Sequence, residues 1–189
     1  IGGGLGVKYT ESDNPPSVKE LANAIGNAMD EFTKTLTIYL EPGRSIISTS
    51  GVTLYTIGSS KQVPNGRRYV AIDGGMADNP RPSMYQAKYV AELAGVESEE
   101  KEVVTLAGRY CESGDILIED IELPKLKAGD VVCVYNTGAY NYSMASNYNR
   151  VEKPAMVLVK SAQSDMIVNR ESLEDLIARE NIPDRLKKL

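Results

Sequence analysis

From Val52 onward the chain is punctuated too often for long helices. Val52–Ile57, Arg68–Ile72, Glu102–Leu106, Ile116–Ile118, Val131–Tyr135 and Ala155–Val159 are short and rich in β-branched residues, with Gly, Pro, Asn and Ser between them. Branching at Cβ stiffens the side chain and suits a pleated surface, and such closely spaced turn residues favour short strands. The pattern predicts an antiparallel β domain over residues 50–165. Cys133 lies in the continuous apolar run Val131-Val132-Cys133-Val134 and is expected in its core.

Upstream of Arg44 the periodicity changes. Ser17 precedes Glu20 by three positions, the spacing at which each side chain satisfies a free N–H of a helix's first turn. Val18, Leu21, Ile25, Ala28, Met29 and Phe32 follow at helical spacing, predicting an amphipathic helix over residues 17–34 with one buried face. Leu36–Leu40 reads as a short strand stopped by Glu41-Pro42-Gly43. Loop, helix, strand and loop make the repeat of an α/β unit. A last helix is expected over residues 173–180, after Ser172 and before Pro183. The domain organisation expected is therefore 1–48 and 49–189. The opening Ile1-Gly2-Gly3-Gly4-Leu5-Gly6 has no strand ahead of its glycines and reads as a piece of a longer protein, cut just before or inside an element. An unpaired edge at Leu36–Leu40 would invite pairing with a neighbour.

Composition narrows the chemistry. Lys and Arg number 21 against 26 Asp and Glu, a net charge of −5, which disfavours nucleic acid or anionic membrane as partners. No apolar run approaches the ~20 residues of a membrane span. Two cysteines are too few for a disulfide framework, and a reducing cytoplasm is expected. There is no histidine, so His-based triads and His metal sites are excluded, and no metal is expected. Chemistry falls to Cys, Tyr, Arg, Lys, carboxylates or a cofactor.

Five short motifs carry such groups. Gly2-Gly3-Gly4-Leu5-Gly6 can turn successive N–H groups on one anion, or can simply make a tight turn; Val7 stands where a dinucleotide fingerprint needs its third glycine. Glu41-Pro42-Gly43-Arg44-Ser45 follows the expected strand and offers a carboxylate, a bare amide and a forked anion binder, or a turn with a surface ion pair. Cys111-Glu112-Ser113-Gly114-Asp115 sets a thiol beside a carboxylate, an acid–base pair or a packed thiol next to a solvated turn. Asn79-Pro80-Arg81-Pro82-Ser83-Met84-Tyr85 fixes an arginine between two prolines. Gly138-Ala139-Tyr140-Asn141-Tyr142, with Tyr148, forms a polar-aromatic loop, a common packing or interface feature.

In this order, and with Asn147-Tyr148-Asn149, the five resemble the C-terminal part of the diaminopimelate decarboxylases, a branch of the pyridoxal-phosphate-dependent decarboxylases with an alanine-racemase-like barrel. The resemblance runs through essentially the whole chain. It implies an α/β barrel remnant (the last helix and strand of a TIM-like barrel) over 1–48 and an antiparallel β-rich domain with a terminal helix over 49–189. It implies pyridoxal 5'-phosphate as cofactor and conversion of meso-2,6-diaminopimelate to L-lysine and CO2, the last step of lysine biosynthesis, in a cytoplasmic homodimer. Carried over by residue, Gly2, Gly3, Gly4, Glu41, Gly43, Arg44 and Tyr140 would hold the cofactor, with Glu41 on its pyridine nitrogen. Arg44, Arg81, Tyr85, Glu112 and Tyr140 would hold substrate, and Cys111 would donate a proton. Cys111 and Glu112 would act across a two-fold interface. The family's cofactor-linked lysine lies upstream of the glycine motif, and neither Lys8 nor Lys88 nor any other lysine here stands in a matching context. The 189 residues by themselves are therefore expected to be inactive. Alternatives are an ornithine, arginine or carboxynorspermidine decarboxylase of the same fold, or a non-catalytic anion-binding or interaction module.

Overall fold

The computed structural model describes residues 1–33, 35–95 and 98–187. The chain divides into two compact units, Ile1–Met144 and Ala145–Leu189. Among the described residues no helix is long and apolar enough to cross a membrane.

The first unit opens with helices α1 (Val18–Ala28), α2 (Asp30–Thr33) and α3 (Gly43–Ile47). Strands β1 (Thr53–Gln62) and β2 (Arg68–Ile72), helix α4 (Arg81–Tyr85), and strands β3 (Ala91–Leu93), β4 (Lys101–Ala107), β5 (Ile116–Pro124) and β6 (Val131–Val134) follow. The six strands form one sheet in the order β3-β6-β1-β2-β4-β5. The second unit holds the antiparallel hairpin β7 (Met156–Lys160) and β8 (Gln163–Val168), and helix α5 (Leu173–Ile177).

All six expected strand segments downstream of Val52 are strands, but the sheet is not wholly antiparallel. β2 and β4 run parallel, pairing Val70 with Leu106. Parallel neighbours need a crossover, and residues 73–100 supply one by way of α4 and β3. That crossover creates the loop and short helix on which Arg81 sits. Val70, Val104, Leu106, Val132 and Val134 are at most 1% exposed and form the middle of the core; each such burial is worth about 1.5–3 kcal/mol.

Cys133 is not in that core. Side chains alternate along β6, so Val132 and Val134 point inward while Cys133, between them, is half-buried on the other face. Burial still raises its thiol pKa.

The capping box at Ser17 forms as expected, with the Glu20 N–H donating to Ser17 Oγ at 3.2 Å and the Ser17 N–H donating to Glu20 Oε2 at 2.7 Å. The helix differs from expectation in two ways. It breaks at Met29 into α1 and α2, and Lys34 lies outside the described residues. No residue of α1 is fully buried: Leu21, Ile25 and the capping Met29 are half-buried, while Val18 at the start of the stripe is 68% exposed. Leu36–Leu40 is not a paired strand either. Among the described residues no strand offers it a ladder, and Tyr39 is 76% exposed. The terminal helix α5 ends at Ile177, earlier than residue 180, and starts on a Ser172–Asp175 capping box.

Candidate active site

Arg81 organises the site. Pro80 caps α4 and Pro82 sits in its first turn, where a missing N–H costs nothing. The arginine is 7% exposed. Its Nη1 donates to Tyr89 Oη at 2.7 Å and to Tyr9 Oη at 2.9 Å. Its guanidinium carbon lies 5.1, 5.8 and 6.0 Å from the ring centroids of Tyr9, Tyr89 and Tyr140. A cation over a ring face gains about 0.5–2 kcal/mol, more as water is excluded. Burial opposes the Arg81 charge, but Tyr89 and Tyr9 more than offset it and its pKa lies above the usual value. Burial pushes the Tyr89 phenol up against the pull of Arg81, so that phenol stays protonated at neutral pH. Among the described residues no carboxylate forms an ion pair with Arg81.

Arg44 and Tyr140 arrive together because α3 docks against the Tyr140 loop. The Gly138 N–H donates to Ser48 O at 3.0 Å, and the Thr137 N–H donates to Gly51 O at 3.0 Å. A Cβ on Gly138 would collide with the Ile47 carbonyl, so only glycine permits this approach. The Tyr140 ring then lies 5.9 Å from the Arg44 guanidinium carbon, and its hydroxyl lies 3.5 Å from the place a Gly43 Cβ would take.

The glycine segment reaches the same neighbourhood through Glu41. The Glu41 N–H donates to Gly2 O at 3.3 Å, and a Cβ on Gly3 would run into the Glu41 carbonyl. Beside Gly2 and Gly4 nothing lies within 4 Å of where a Cβ would stand. Gly2, Gly3 and Gly4 are exposed residues, and their N–H groups make no hydrogen bond among the described residues. Unused amides on a bare backbone suit a phosphate, so these residues fit an anionic cofactor.

Of the residues singled out from the sequence, Arg44, Arg81, Tyr85 and Tyr140 line one cavity of about 700 Å³, with Tyr9 and Lys88. Gly2, Gly3, Glu41 and Gly43 are tied to its Arg44–Tyr140 side. Cys111 and Glu112 do not line it; both are exposed, on a turn between β4 and β5. Asp115 holds that turn by accepting the Met76 N–H at 2.7 Å and the Tyr110 N–H at 2.8 Å. Ser83 Oγ donates to Gly114 O at 2.8 Å, linking the turn to α4. A second cavity of about 700 Å³ shares Thr10, Gln86, Ala87 and Lys88 with the first and reaches Ser113 and Gly114.

Tyr9 and Tyr89 were not evident from the sequence as site residues, nor were Asp78, which accepts from the Tyr55 hydroxyl, and Asp115 as an anchor. Only the position of Tyr9 shortly after the glycine cluster, and the four-residue interval from Tyr85 to Tyr89, hinted at the first two.

Comparison with known proteins gives the family. Residues 1–48 match the pyridoxal binding domain of the pyridoxal-dependent decarboxylases, and residues 29–138 match their C-terminal sheet domain. Diaminopimelate decarboxylase from Synechocystis sp. is 48% identical over 98% of this chain and 41% of its own length. A crystal structure of diaminopimelate decarboxylase from M. jannaschii superposes with a TM-score of 0.92 at 41% identity, covering 98% of this chain and 43% of that one. The Helicobacter pylori enzyme complexed with L-lysine gives 0.85 at 37% identity, covering 94% and 43%. The chain thus spans about two-fifths of the length of the relatives it matches. The sheet-domain match alone takes in more than half of the residues, and the chain belongs to the pyridoxal-dependent decarboxylase family.

Proposed function

We propose that the full-length protein carrying these residues is a pyridoxal-phosphate-dependent decarboxylase that converts meso-diaminopimelate to L-lysine and CO2 in the cytoplasm, as a homodimer. The observation that carries this reading is Arg81: a nearly buried cation on a cavity, held by phenols and lacking an acidic partner among the described residues. Such a cation calls for an anion from the ligand. Diaminopimelate brings a carboxylate at each end. Ornithine or arginine brings one carboxylate and, at its far end, a positive charge that Arg81 would repel.

In this reading residues 1–48 are the last helix and strand segment of the cofactor-binding barrel, whose remaining elements would cover the exposed stripe of α1. Residues 49–189 form the β-rich domain. The amides of Gly2, Gly3 and Gly4 hold the phosphate, and Glu41 keeps a proton at the pyridine nitrogen. Bound there, pyridoxal phosphate supplies the electron sink that loss of CO2 requires. Gly43 leaves room for Tyr140, whose ring and hydroxyl flank the cofactor and substrate. Arg44 serves the phosphate and a substrate carboxylate; Arg81 and Tyr85 serve the substrate's far end. Glu112 of a second copy pairs with the substrate's distal amine, and the Cys111 thiol of that copy delivers a proton to the carbon that has lost its carboxylate. Cys111 and Glu112 are exposed and do not line the Arg81 cavity of their own chain, which is consistent with that sharing. The 189 residues alone are inactive, since no lysine among them stands in the family's context.

Turnover by the full-length protein on meso-diaminopimelate, ornithine, arginine and carboxynorspermidine tests the proposal. Preference for meso-diaminopimelate by at least a hundredfold in kcat/KM is expected. Faster turnover of any other substrate supports a sibling decarboxylase, and phosphate binding without any turnover supports a binding module.

A further inference from the structure

We infer that Tyr9 and Tyr89 are positioning residues for specificity: they fix the Arg81 guanidinium so that its Nε–Nη2 edge alone meets the far carboxylate of the substrate. The inference rests on reading Arg81 as a substrate-carboxylate group.

A guanidinium carries five N–H donors on a flexible stem, and in most settings it can turn either of its two-donor edges toward an anion. Here both protons of Nη1 are taken, one by Tyr9 Oη and one by Tyr89 Oη. Each phenol is held in its turn. Tyr9 Oη, accepting from Arg81, has its own proton to give to Ser48 Oγ at 3.2 Å, and Ser48 Oγ donates to the Asn136 carbonyl at 3.1 Å. Tyr89 Oη lies 3.4 Å from the side-chain amide of buried Asn141. The two rings meet edge to face, with centroids 5.5 Å apart and planes at 81°, which fixes the spacing of the two oxygens.

The other nitrogens are unengaged. Nε and Nη2 of Arg81 make no hydrogen bond among the described residues, yet no buried side-chain nitrogen or oxygen there lacks a partner. Both nitrogens are therefore reachable, and the residue lines the cavity. Nε–H and one Nη2–H form the parallel pair that matches a carboxylate's two oxygens. Three separate segments thus set one plane: the stretch after the glycine cluster, α4, and the approach to β3.

The test uses Tyr9→Phe and Tyr89→Phe in the full-length holoenzyme, with Arg81→Gln as reference. Two ligands are compared: meso-diaminopimelate, and the lysine stereoisomer that keeps the reacting centre but has hydrogen in place of the far carboxylate. Each phenylalanine variant removes one acceptor, lets the guanidinium swing, and raises KM for meso-diaminopimelate roughly tenfold with kcat within about twofold. The inhibition constant of the lysine analogue stays within about twofold, as does the cofactor's absorption spectrum. An unchanged KM, or a parallel rise for both ligands, overturns the positioning role. If Arg81→Gln also leaves the KM unchanged, the reading of Arg81 itself fails, and the inference with it.

Discussion

Replacing Asp115 with alanine removes a side chain that joins the loop before α4 to the Cys111 turn through paired backbone donors. The carboxylate is 4% exposed and accepts the Met76 and Tyr110 N–H groups at 2.7 and 2.8 Å. Gly75 and Gly108 close around it so tightly that a Cβ on either would strike it. A buried donor left without a partner costs about 1–3 kcal/mol, so two cost about 2–6 kcal/mol. Burial raises the Asp115 pKa against those two hydrogen bonds, so removing the charge recovers part of its desolvation cost, and a net loss of about 2–4 kcal/mol is expected. Asp115→Asn keeps one acceptor but turns an NH2 toward the second donor, and should fall between, at about 1–3 kcal/mol. Urea denaturation followed by circular dichroism reads the difference. With a slope of about 1–3 kcal/mol/M, Asp115→Ala should lower the midpoint by roughly 1–2 M with an unchanged slope. Both variants within about 0.5 kcal/mol of the parent, the range of an ordinary surface change, would refute the anchoring role.

Three further perturbations follow from other contacts in the fold. Burial raises the Asp78 pKa despite the Tyr55 and Gly75 donors, so its contribution is full below the unfolded value of about 3.9 and fades as pH rises through the folded one. Asp78→Asn should therefore gain stability relative to the parent as pH rises above about 4. Glu171 goes the other way. The Lys153 N–H, at 2.9 Å, lowers its pKa, so Glu171→Gln should cost more at neutral pH than near pH 3, as matched denaturation curves would show. Gly138→Ala, driven against the Ile47 carbonyl, should cost about 1–3 kcal/mol and part Tyr140 from Arg44, lowering activity more than Ala139→Gly does.

Strand existence was legible because β-branched runs between turn residues have few other uses; Arg68–Ile72 is a strand over those five residues. What failed depended on partners. Leu36–Leu40 has a strand's composition but no ladder among the described residues, and α1 has an amphipathic stripe that is nowhere fully buried. Ala91–Leu93 is too short to show a period, and Gln163–Val168 begins with Gln-Ser-Asp, which reads as loop. The parallel β2–β4 pair is a property of the crossover and leaves no mark on either strand. At the site, the charged and glycine motifs were visible because each is local. The Tyr9–Arg81–Tyr89 arrangement joins positions 72 residues apart, and only the folded chain brings them together.

Subunit complementation is the most direct test of the proposal that the catalytic site combines the Arg81 cavity of one copy with the Cys111 turn of another. Full-length Cys111→Ala and Arg81→Gln proteins, each expected to be inactive alone, are unfolded, mixed in equal amounts and refolded together. Random pairing makes half of the dimers mixed, each with one intact site and one doubly altered site, so activity should return to about one quarter of the parent's. A mixture no more active than either variant alone would mean that both residues serve the same chain's site, contradicting the shared-site account.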